Sequence, residues 1–240
     1  MIITKEKHIG KIVAEDYRTA QIFKNHKIDF CCQGNRSIET VCENKSFSSD
    51  ELIGEIEAMQ QKSETSNDYK SWPLDLLADY IEKKHHRYVE ESFKVLIPYL
   101  NKLCNVHGEN HPELFEITKE FKESAVELGS HMAEEENVLF PFIRTLVQAK
   151  HKNSEIEKPH FGTVENPVEM MMQDHEAEGE RFRKIAELSN NYTPPEDACN
   201  TYRVSFALLN EFEQDLHLHI HLENNILFPK AIAMEKELNS

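Results

Sequence analysis

The sequence predicts an all-α protein in which a small N-terminal helical domain precedes an up-down four-helix bundle. Its composition, with seven glycines among 240 residues and 29% charged side chains, is typical of a helical protein. After residue 73, four long segments place apolar residues at helical spacing. Short connections between these segments favour antiparallel neighbours. The predicted domains are 1–62 for the small domain, 63–72 for a polar linker and 73–240 for the bundle.

The N-terminal domain is predicted to contain three short helices. Apolar residues recur at helical spacing within residues 16–27, and a second helix is expected after Ser37. Ser48 and Glu51 form a capping box, in which each side chain accepts a free backbone N–H of the other. A third helix should therefore begin at this box and run to about residue 61.

Two adjacent cysteines, Cys31 and Cys32, lie between the first two of these helices, before the turn residues Gly34 and Asn35. Adjacent cysteines rarely bond to each other, so both are expected to be free thiols. Thiolates bind soft metal ions and react with oxidants or NO, which makes this pair the candidate catalytic residues. The residues support equally the alternative that both are small buried side chains beside a turn.

The bundle segments contain three prolines, Pro98, Pro141 and Pro229. Proline has no backbone N–H to donate, so each is expected to kink its helix or to lie in the last turns. The predicted helices span residues 73–106, 112–150, 164–190 and 193–236.

A sequence repeat supplies candidate metal ligands to this bundle. His131 and Glu135 begin a motif that ends in Asn-x-Leu-Phe-Pro, and His219 and Glu223 begin a second copy 88 residues later (219 − 131). Residues four positions apart lie on one face of a helix, so each His–Glu pair can reach one point in space. These residues also lie on the apolar stripe, where an unpaired charge is costly and a bound cation resolves the conflict.

A further histidine pair, His86 and His175, recurs at nearly the same offset (175 − 86 = 89). Imidazole and carboxylate suit Fe, Mn or Zn, and carboxylates can bridge two cations. A single His-x-x-x-Glu is commonly an exposed ion pair, but its repetition favours a two-metal centre. Six ligands do not saturate two irons, so positions remain for an oxo or hydroxo bridge and a small exogenous molecule. The predicted metal ligands are His86, His131, Glu135, His175, His219 and Glu223.

Three neighbouring histidines are predicted to lie outside the ligand set. His85 is expected either at the surface or behind the ligands. His217 and His221 flank His219 at two-residue spacing, which turns each about 160° away from it on a helix. Both are therefore expected to be exposed.

Charge and hydropathy exclude several functional classes. The formal net charge of −16 argues against nucleic-acid binding, which needs clustered Lys and Arg. No apolar run is long enough for a transmembrane helix, and the N-terminus lacks the apolar stretch of a signal peptide. Five cysteines, two of them adjacent, do not suggest a disulfide framework, so a reducing cytoplasm is the expected compartment.

Three motifs, near the start, in the middle and near the end of the chain, together show a resemblance that covers nearly its whole length. They are Asp29-Phe30-Cys31-Cys32 with Gly34, then Ser130-His131-Met132 with Glu135 and Leu139-Phe140-Pro141, and finally the segment from Leu222 to Pro229. In combination they resemble the ScdA-like iron–sulfur cluster repair di-iron proteins, the RIC family.

This resemblance implies a haemerythrin-like bundle with a non-haem di-iron centre and a small domain whose cysteine pair works with it, often in a homodimer. By motif match, the six predicted side chains would be the iron ligands, with Glu135 and Glu223 bridging. The implied role is the restoration of iron–sulfur clusters damaged by oxidative or nitrosative stress, through donation of iron. The implied partners are damaged iron–sulfur proteins or assembly scaffolds, and small molecules such as NO or O₂.

Two alternative functions remain open on the sequence. A haemerythrin-like carrier or sensor of O₂ or NO would use the same bundle, although O₂ carriage would not require Cys31 and Cys32. An enzyme that reduces NO at the di-iron centre is the other alternative.

Overall fold

The computed structural model describes residues 3–43, 45–60 and 68–239, and in these ranges helices are joined by turns and loops. These ranges contain no β-strand, and a single isolated bridge pairs His8 with Ser37. The predicted all-α class is confirmed. No helix in the same ranges is long and apolar enough to cross a membrane.

In the described residues up to 60, four short helices form the N-terminal part: α1 (Ile9–Glu15), α2 (Thr19–Asn25), α3 (Ile38–Cys42) and α4 (Ser49–Gln60). The sequence analysis does not predict α1, whose seven residues include Gly10, and glycine disfavours a helix interior. The predicted capping box is present at the start of α4. The Ser48 hydroxyl accepts the Glu51 N–H at 3.2 Å, and the Glu51 carboxylate accepts the Ser48 N–H at 2.6 Å.

Four long helices follow, and three of them contain a π-helical segment. Helix α5 comprises Leu74–Tyr80, a π segment Ile81–His86 and Arg87–His107. Helix α6 comprises Glu113–Glu134, a π segment Glu135–Leu139 and Phe140–Lys152. Helix α7 is Glu165–Leu188. Helix α8 comprises Asn200–Leu222, a π segment Glu223–Leu227 and Phe228–Leu238.

The π segments explain how the bundle tolerates two of its prolines. Pro141 and Pro229 each lie just after a π segment, inside a helix that continues for several more turns. The preceding N–H groups of Phe140 and Phe228 donate five residues back, to the carbonyls of Glu135 and Glu223. The hydrogen-bond ladder is thus already widened where proline offers no donor. Of the two alternatives expected for Pro141 and Pro229, a kink or a place in the last turns of the helix, the second is therefore wrong.

The start of α8 also differs from the prediction. The helix begins at Asn200 rather than near Thr193, and Cys199 is its N-cap residue. Pro194 and Pro195 offer no backbone N–H, and each disfavours a helical conformation in the residue before it. The segment 193–198 therefore stays outside the helix.

Within the bundle, α5 packs against α6 and α8, and α6 also packs against α7 and α8. Its buried apolar residues form two clusters. The larger joins the N-terminal helices to the part of the bundle that contains Phe121, Phe182 and Phe212. The smaller surrounds Phe140 and Phe228. The predicted metal ligands belong to neither cluster. In the sequence they alternate with residues of both clusters.

The N-terminal part docks on α8 next to these ligands. The Asn225 side chain donates to the carbonyls of Phe30 and Cys31, at 3.3 and 3.4 Å. A Cβ atom on Gly10 or Gly34 would overlap the Asn225 side chain, so both positions need glycine for this close approach.

Residues 63–67, which make up half of the predicted linker, lie outside the described residues. Beyond them, Tyr69–Ser71 forms a 3₁₀ turn in which Tyr69 is buried against Trp72 and Tyr80. The domain boundaries themselves stay a prediction.

Candidate metal centre

All six predicted metal ligands are buried and come together inside the bundle. The π segment of α5 ends at His86, and α7 supplies His175. The two repeated motifs lie at the junctions where α6 and α8 change from α- to π-helix, so that Glu135 and Glu223 each begin a π segment.

The ligand atoms form two overlapping sets, each within 4.8 Å, that could each hold a cation. Both sets contain Glu135 and Glu223, which places the two carboxylates between the two positions. The first set adds His86 and His219, and the second adds His131 and His175.

Short distances link the imidazoles to the shared carboxylates. Nε2 of His86 and Nε2 of His131 both lie 3.4 Å from Glu135 Oε2. On the other side, Nε2 of His175 lies 3.2 Å from Glu223 Oε2, and Nε2 of His219 lies 3.0 Å from Glu223 Oε1. All four imidazoles therefore present Nε2 towards the centre.

The hydrogen bonding of these atoms fits bound cations. Both oxygens of Glu135, Oε2 of Glu223 and Nε2 of His86 are buried and form no hydrogen bond within the described chain. Burying such polar atoms without partners is costly. Cations coordinated by these atoms would remove that cost, and two carboxylates with four imidazoles suit first-row transition metals.

In the cation-free site, the pKa values of the two glutamates shift in opposite directions. Burial, and then the charge of Glu223, raise the pKa of Glu135. Burial also favours protonated Glu223, but His219 and His175 outweigh it and hold the pKa of Glu223 well below its usual value. Burial opposes charge on His86 and His175, yet the nearby carboxylates raise the pKa of each to about 9. The raised pKa values of Glu135, His86 and His175 therefore favour protons on these groups when cations are absent.

Three residues that the sequence analysis missed orient these imidazoles. The Nδ1 atoms of His86, His131 and His175 each donate to an oxygen of a neighbouring side chain. The acceptors are Glu136 Oε1 at 2.9 Å, Asp174 Oδ2 at 3.2 Å and Asn224 Oδ1 at 2.9 Å, respectively. Such partners fix the ring so that Nε2 faces the metal. Each acceptor lies one position from a predicted ligand in the sequence, the only signal that could have marked it.

The three histidines expected outside the site are more buried than predicted. His85 is fully buried, donates from Nδ1 to Asp215 at 2.9 Å and stacks on His219, so of its two predicted locations the surface is wrong. His221 is 1% exposed and His217 only partly exposed, so their predicted exposure is wrong. The reason is that Phe30 of the N-terminal part packs against both rings.

The cysteine pair lies beside this centre, and both thiols are free. Their sulfur atoms are 3.7 Å apart, and the Cys32 thiol donates to the carbonyl of His175 at 3.1 Å. The hydrogen bond that the Cys31 thiol donates to Cys32, together with burial, raises the pKa of Cys31 well above its usual value. Without a cation, the Cys31 thiol is therefore protonated at neutral pH.

Comparison with known proteins agrees with this arrangement. Residues 5–60 match ScdA_N, a domain of unknown function (DUF542), and residues 77–231 match the hemerythrin HHE cation binding domain. An iron-sulfur cluster repair protein ScdA from Staphylococcus haemolyticus is 32% identical over 95% of this chain and 99% of its own. An iron-sulfur cluster repair protein YtfE from Yersinia pestis is 31% identical over 96% and 99%.

The chain belongs to the ScdA/YtfE family.

The family assignment confirms the resemblance read from the motifs. In this ScdA/YtfE family member, the two cation sets fall within the hemerythrin match and the cysteine pair within the ScdA_N match. The haemerythrin-like bundle is likewise confirmed, with a buried His and Glu cluster suited to metal at its centre.

Proposed function

We propose that this protein repairs damaged iron–sulfur clusters and that a di-iron centre in its bundle is the source of the iron. The observation that carries the proposal is the pair of overlapping cation sets, in a chain similar over nearly its whole length to relatives named iron-sulfur cluster repair proteins. The iron ligands would be His86, His131, Glu135, His175, His219 and Glu223, with the two glutamates bridging.

The residues of the site suit both holding and releasing iron. Two bridging carboxylates and four imidazoles would supply four protein donor atoms to each iron, fewer than a saturated iron coordinates. When iron leaves, His86, His175 and Glu135 can take up protons, because their pKa values are raised in the cation-free site. Proton uptake at these atoms offsets the loss of positive charge and lowers the cost of an emptied site.

The setting of this function is part of the proposal. The protein would act in the cytoplasm, where free cysteines persist, and respond to oxidative or nitrosative stress. Its partners would be damaged iron–sulfur proteins or the scaffolds that assemble clusters, and it would work as a homodimer. NO and O₂ are the small molecules that would reach the centre.

The proposal is tested by repair with isotopically labelled iron. Purified protein loaded with ⁵⁷Fe is mixed under anaerobic conditions with a cluster-dependent dehydratase that NO or peroxide has inactivated. We expect dehydratase activity to return and ⁵⁷Fe to appear in its cluster by Mössbauer spectroscopy. The double variant Glu135→Leu, Glu223→Leu should bind little iron and restore little activity.

A matched control tests whether the loss of repair is caused by the loss of metal ligands or by the loss of negative charge. Glu176→Leu removes an exposed carboxylate one position from His175 and should repair as well as the wild type. Equal repair by the double variant and the wild type would contradict the proposal. So would recovery of activity without ⁵⁷Fe in the recipient cluster, because the iron would then have another source.

A further inference from the structure

We propose that Asp29, Cys31 and Cys32 form a separate binding site for one thiophilic divalent cation. Their ligand atoms, one carboxylate oxygen and two sulfurs, lie within 4.8 Å of one another. None of the three belongs to the cation sets of the bundle. We call this group the cysteine site.

The spacing of the ligand atoms matches tetrahedral coordination. Metal–sulfur bonds of about 2.3 Å at a tetrahedral angle place two sulfurs about 3.8 Å apart. The two thiols of the cysteine site are 3.7 Å apart, far beyond the roughly 2.05 Å of a disulfide. The same angle with a metal–oxygen bond of about 2.1 Å gives a sulfur–oxygen distance of about 3.6 Å. The Cys31 sulfur and Asp29 Oδ1 are 3.3 Å apart.

The surrounding chain holds these atoms in place before any cation binds. Asp29 Oδ1 accepts the backbone N–H groups of Cys31 and Cys32 at 3.1 and 3.0 Å, and Arg183 donates to Oδ2 at 2.9 Å. The absence of a side chain at Gly179 leaves room for the Cys32 sulfur, which would lie 2.9 Å from a Cβ atom there.

The cysteine site also has an open side. A pocket of about 730 Å³ between the N-terminal part and the bundle is lined by Asp29 and Cys31. An exchangeable metal site has three protein ligands and a fourth position open to solvent or substrate, whereas a closed structural site has four protein ligands. The cysteine site, with three ligands beside a pocket, has the first arrangement. Two soft sulfurs with one oxygen favour Fe²⁺ or Zn²⁺ over Mg²⁺ or Ca²⁺. On binding, each thiol gives its proton to solvent and no electron is transferred.

The position of the cysteine site suggests a use in iron donation. The Cys32 thiol donates to the carbonyl of His175, and Asn224 bridges the Cys31 carbonyl, at 3.3 Å, to the His175 ring, at 2.9 Å. The cysteine site therefore adjoins the His131 and His175 position and would be placed to receive an iron released from it. This use rests on the proposed function, whereas cation binding by the cysteine site does not.

Cobalt titration tests the site directly. Co²⁺ is added under anaerobic conditions to full-length protein whose bundle centre is already loaded with iron. We expect one equivalent to bind with thiolate-to-cobalt charge-transfer bands and the visible bands of tetrahedral cobalt. Cys31→Ser and Cys32→Ser should each weaken binding at least tenfold and reduce the charge-transfer intensity by about half, while Asp29→Asn should weaken binding and keep that intensity.

Controls distinguish the loss of cobalt binding at the cysteine site from misfolding and from cobalt binding at the bundle centre. Cys42→Ser changes another thiol of the N-terminal part and should leave the bands intact. Circular dichroism and bundle iron content should be unchanged in the Cys31 and Cys32 variants. The double variant Glu135→Leu, Glu223→Leu should retain the charge-transfer bands even though it cannot repair clusters.

Two outcomes would overturn the proposal. One is the absence of charge-transfer bands when cobalt is added to the wild type, and the other is the presence of full bands in the double variant Cys31→Ser, Cys32→Ser. If the wild type fails to repair clusters but shows the bands, the cysteine site stands and only the proposed function fails.

Discussion

At the scale of single residues, the orientation of three of the four imidazoles depends on a hydrogen-bond partner behind the ring. Glu136 accepts from His86, and Arg87 donates to the same carboxylate at 3.0 Å, which keeps it in place. In contrast, Nδ1 of His219 forms no hydrogen bond within the described chain. The two cation positions therefore differ in how firmly their histidines are held, although the ligand types are the same.

Removing one of these partners should loosen one position. Glu136→Ala leaves the His86 ring without its acceptor, so we expect metal affinity at the position that contains His86 to fall roughly 10- to 100-fold. Competition with a chelator of known affinity would measure this, with Glu134→Ala, an exposed neighbour, as control. Unchanged affinity in Glu136→Ala would show that packing alone orients the ring.

A second residue-scale prediction concerns pH. Burial lowers the pKa of His221 to about 3, from 6.5 for a free side chain. The unfolded chain takes up a proton at this residue below pH 6.5 while the folded chain does not. Stability from His221 is therefore present above pH 6.5 and is lost as the pH falls towards 3, by roughly 2 kcal/mol between pH 7 and 5.

Urea unfolding at both pH values would measure this loss. His221→Gln keeps an acceptor for Asn225, which donates to His221 Nδ1 at 3.1 Å, but does not titrate. The variant should lose about 2 kcal/mol less free energy of unfolding than the wild type between pH 7 and 5. Parallel losses in both proteins would assign the pH dependence to other groups.

At the scale of elements, the turn after Cys32 determines how closely the N-terminal part approaches α8. A Cβ on Gly34 would overlap the carbonyl of Phe30 and the side chain of Asn225. Gly34→Ala should therefore cost about 1–3 kcal/mol of folding free energy and make the Cys32 thiol react faster with a disulfide reagent. Gly54→Ala, where no atom lies near the added methyl, should stabilise α4 by about 0.5–1 kcal/mol.

Those two alanine variants form a matched pair for urea unfolding and thiol-reaction rates. If Gly34→Ala matched Gly54→Ala in both measurements, the N-terminal part would not depend on this close approach.

The elements also show what the sequence could and could not predict. His131 and Glu135 share a helical face, so their proximity follows from local geometry, and repetition in the chain revealed the second pair. The hydrogen bond from His131 to Asp174 depends on how α6 and α7 pack, and no local pattern encodes it. The burial of His221 was missed for the same reason, because it requires knowing that Phe30 covers that face of α8.

At the scale of the whole molecule, the centre is flanked in the chain by members of two apolar clusters and joins all four bundle helices. Cations that bind there link the helices to one another and bind the folded state only. Their removal should therefore destabilise the entire bundle rather than one helix end.

Chelation would test this linkage. If the two metals are present at about a thousand times their dissociation constants, we expect their removal to lower the melting temperature by roughly 20 °C. Calorimetry with and without chelator would measure the change. Glu135→Leu, which should not hold the cations, is expected to melt at the same temperature under both conditions. An equal shift in both proteins would indicate that the chelator acts elsewhere.

The sharing of Glu135 and Glu223 between both cation sets limits how the centre can be dissected. Any substitution of a glutamate perturbs both positions at once, so mononuclear forms are accessible only through the histidines. Substitution of His86 should leave only the cation position that contains His131, and substitution of His131 should leave only the position that contains His86. The spectra of these two one-metal variants would assign the spectrum of the intact centre to its two metal ions.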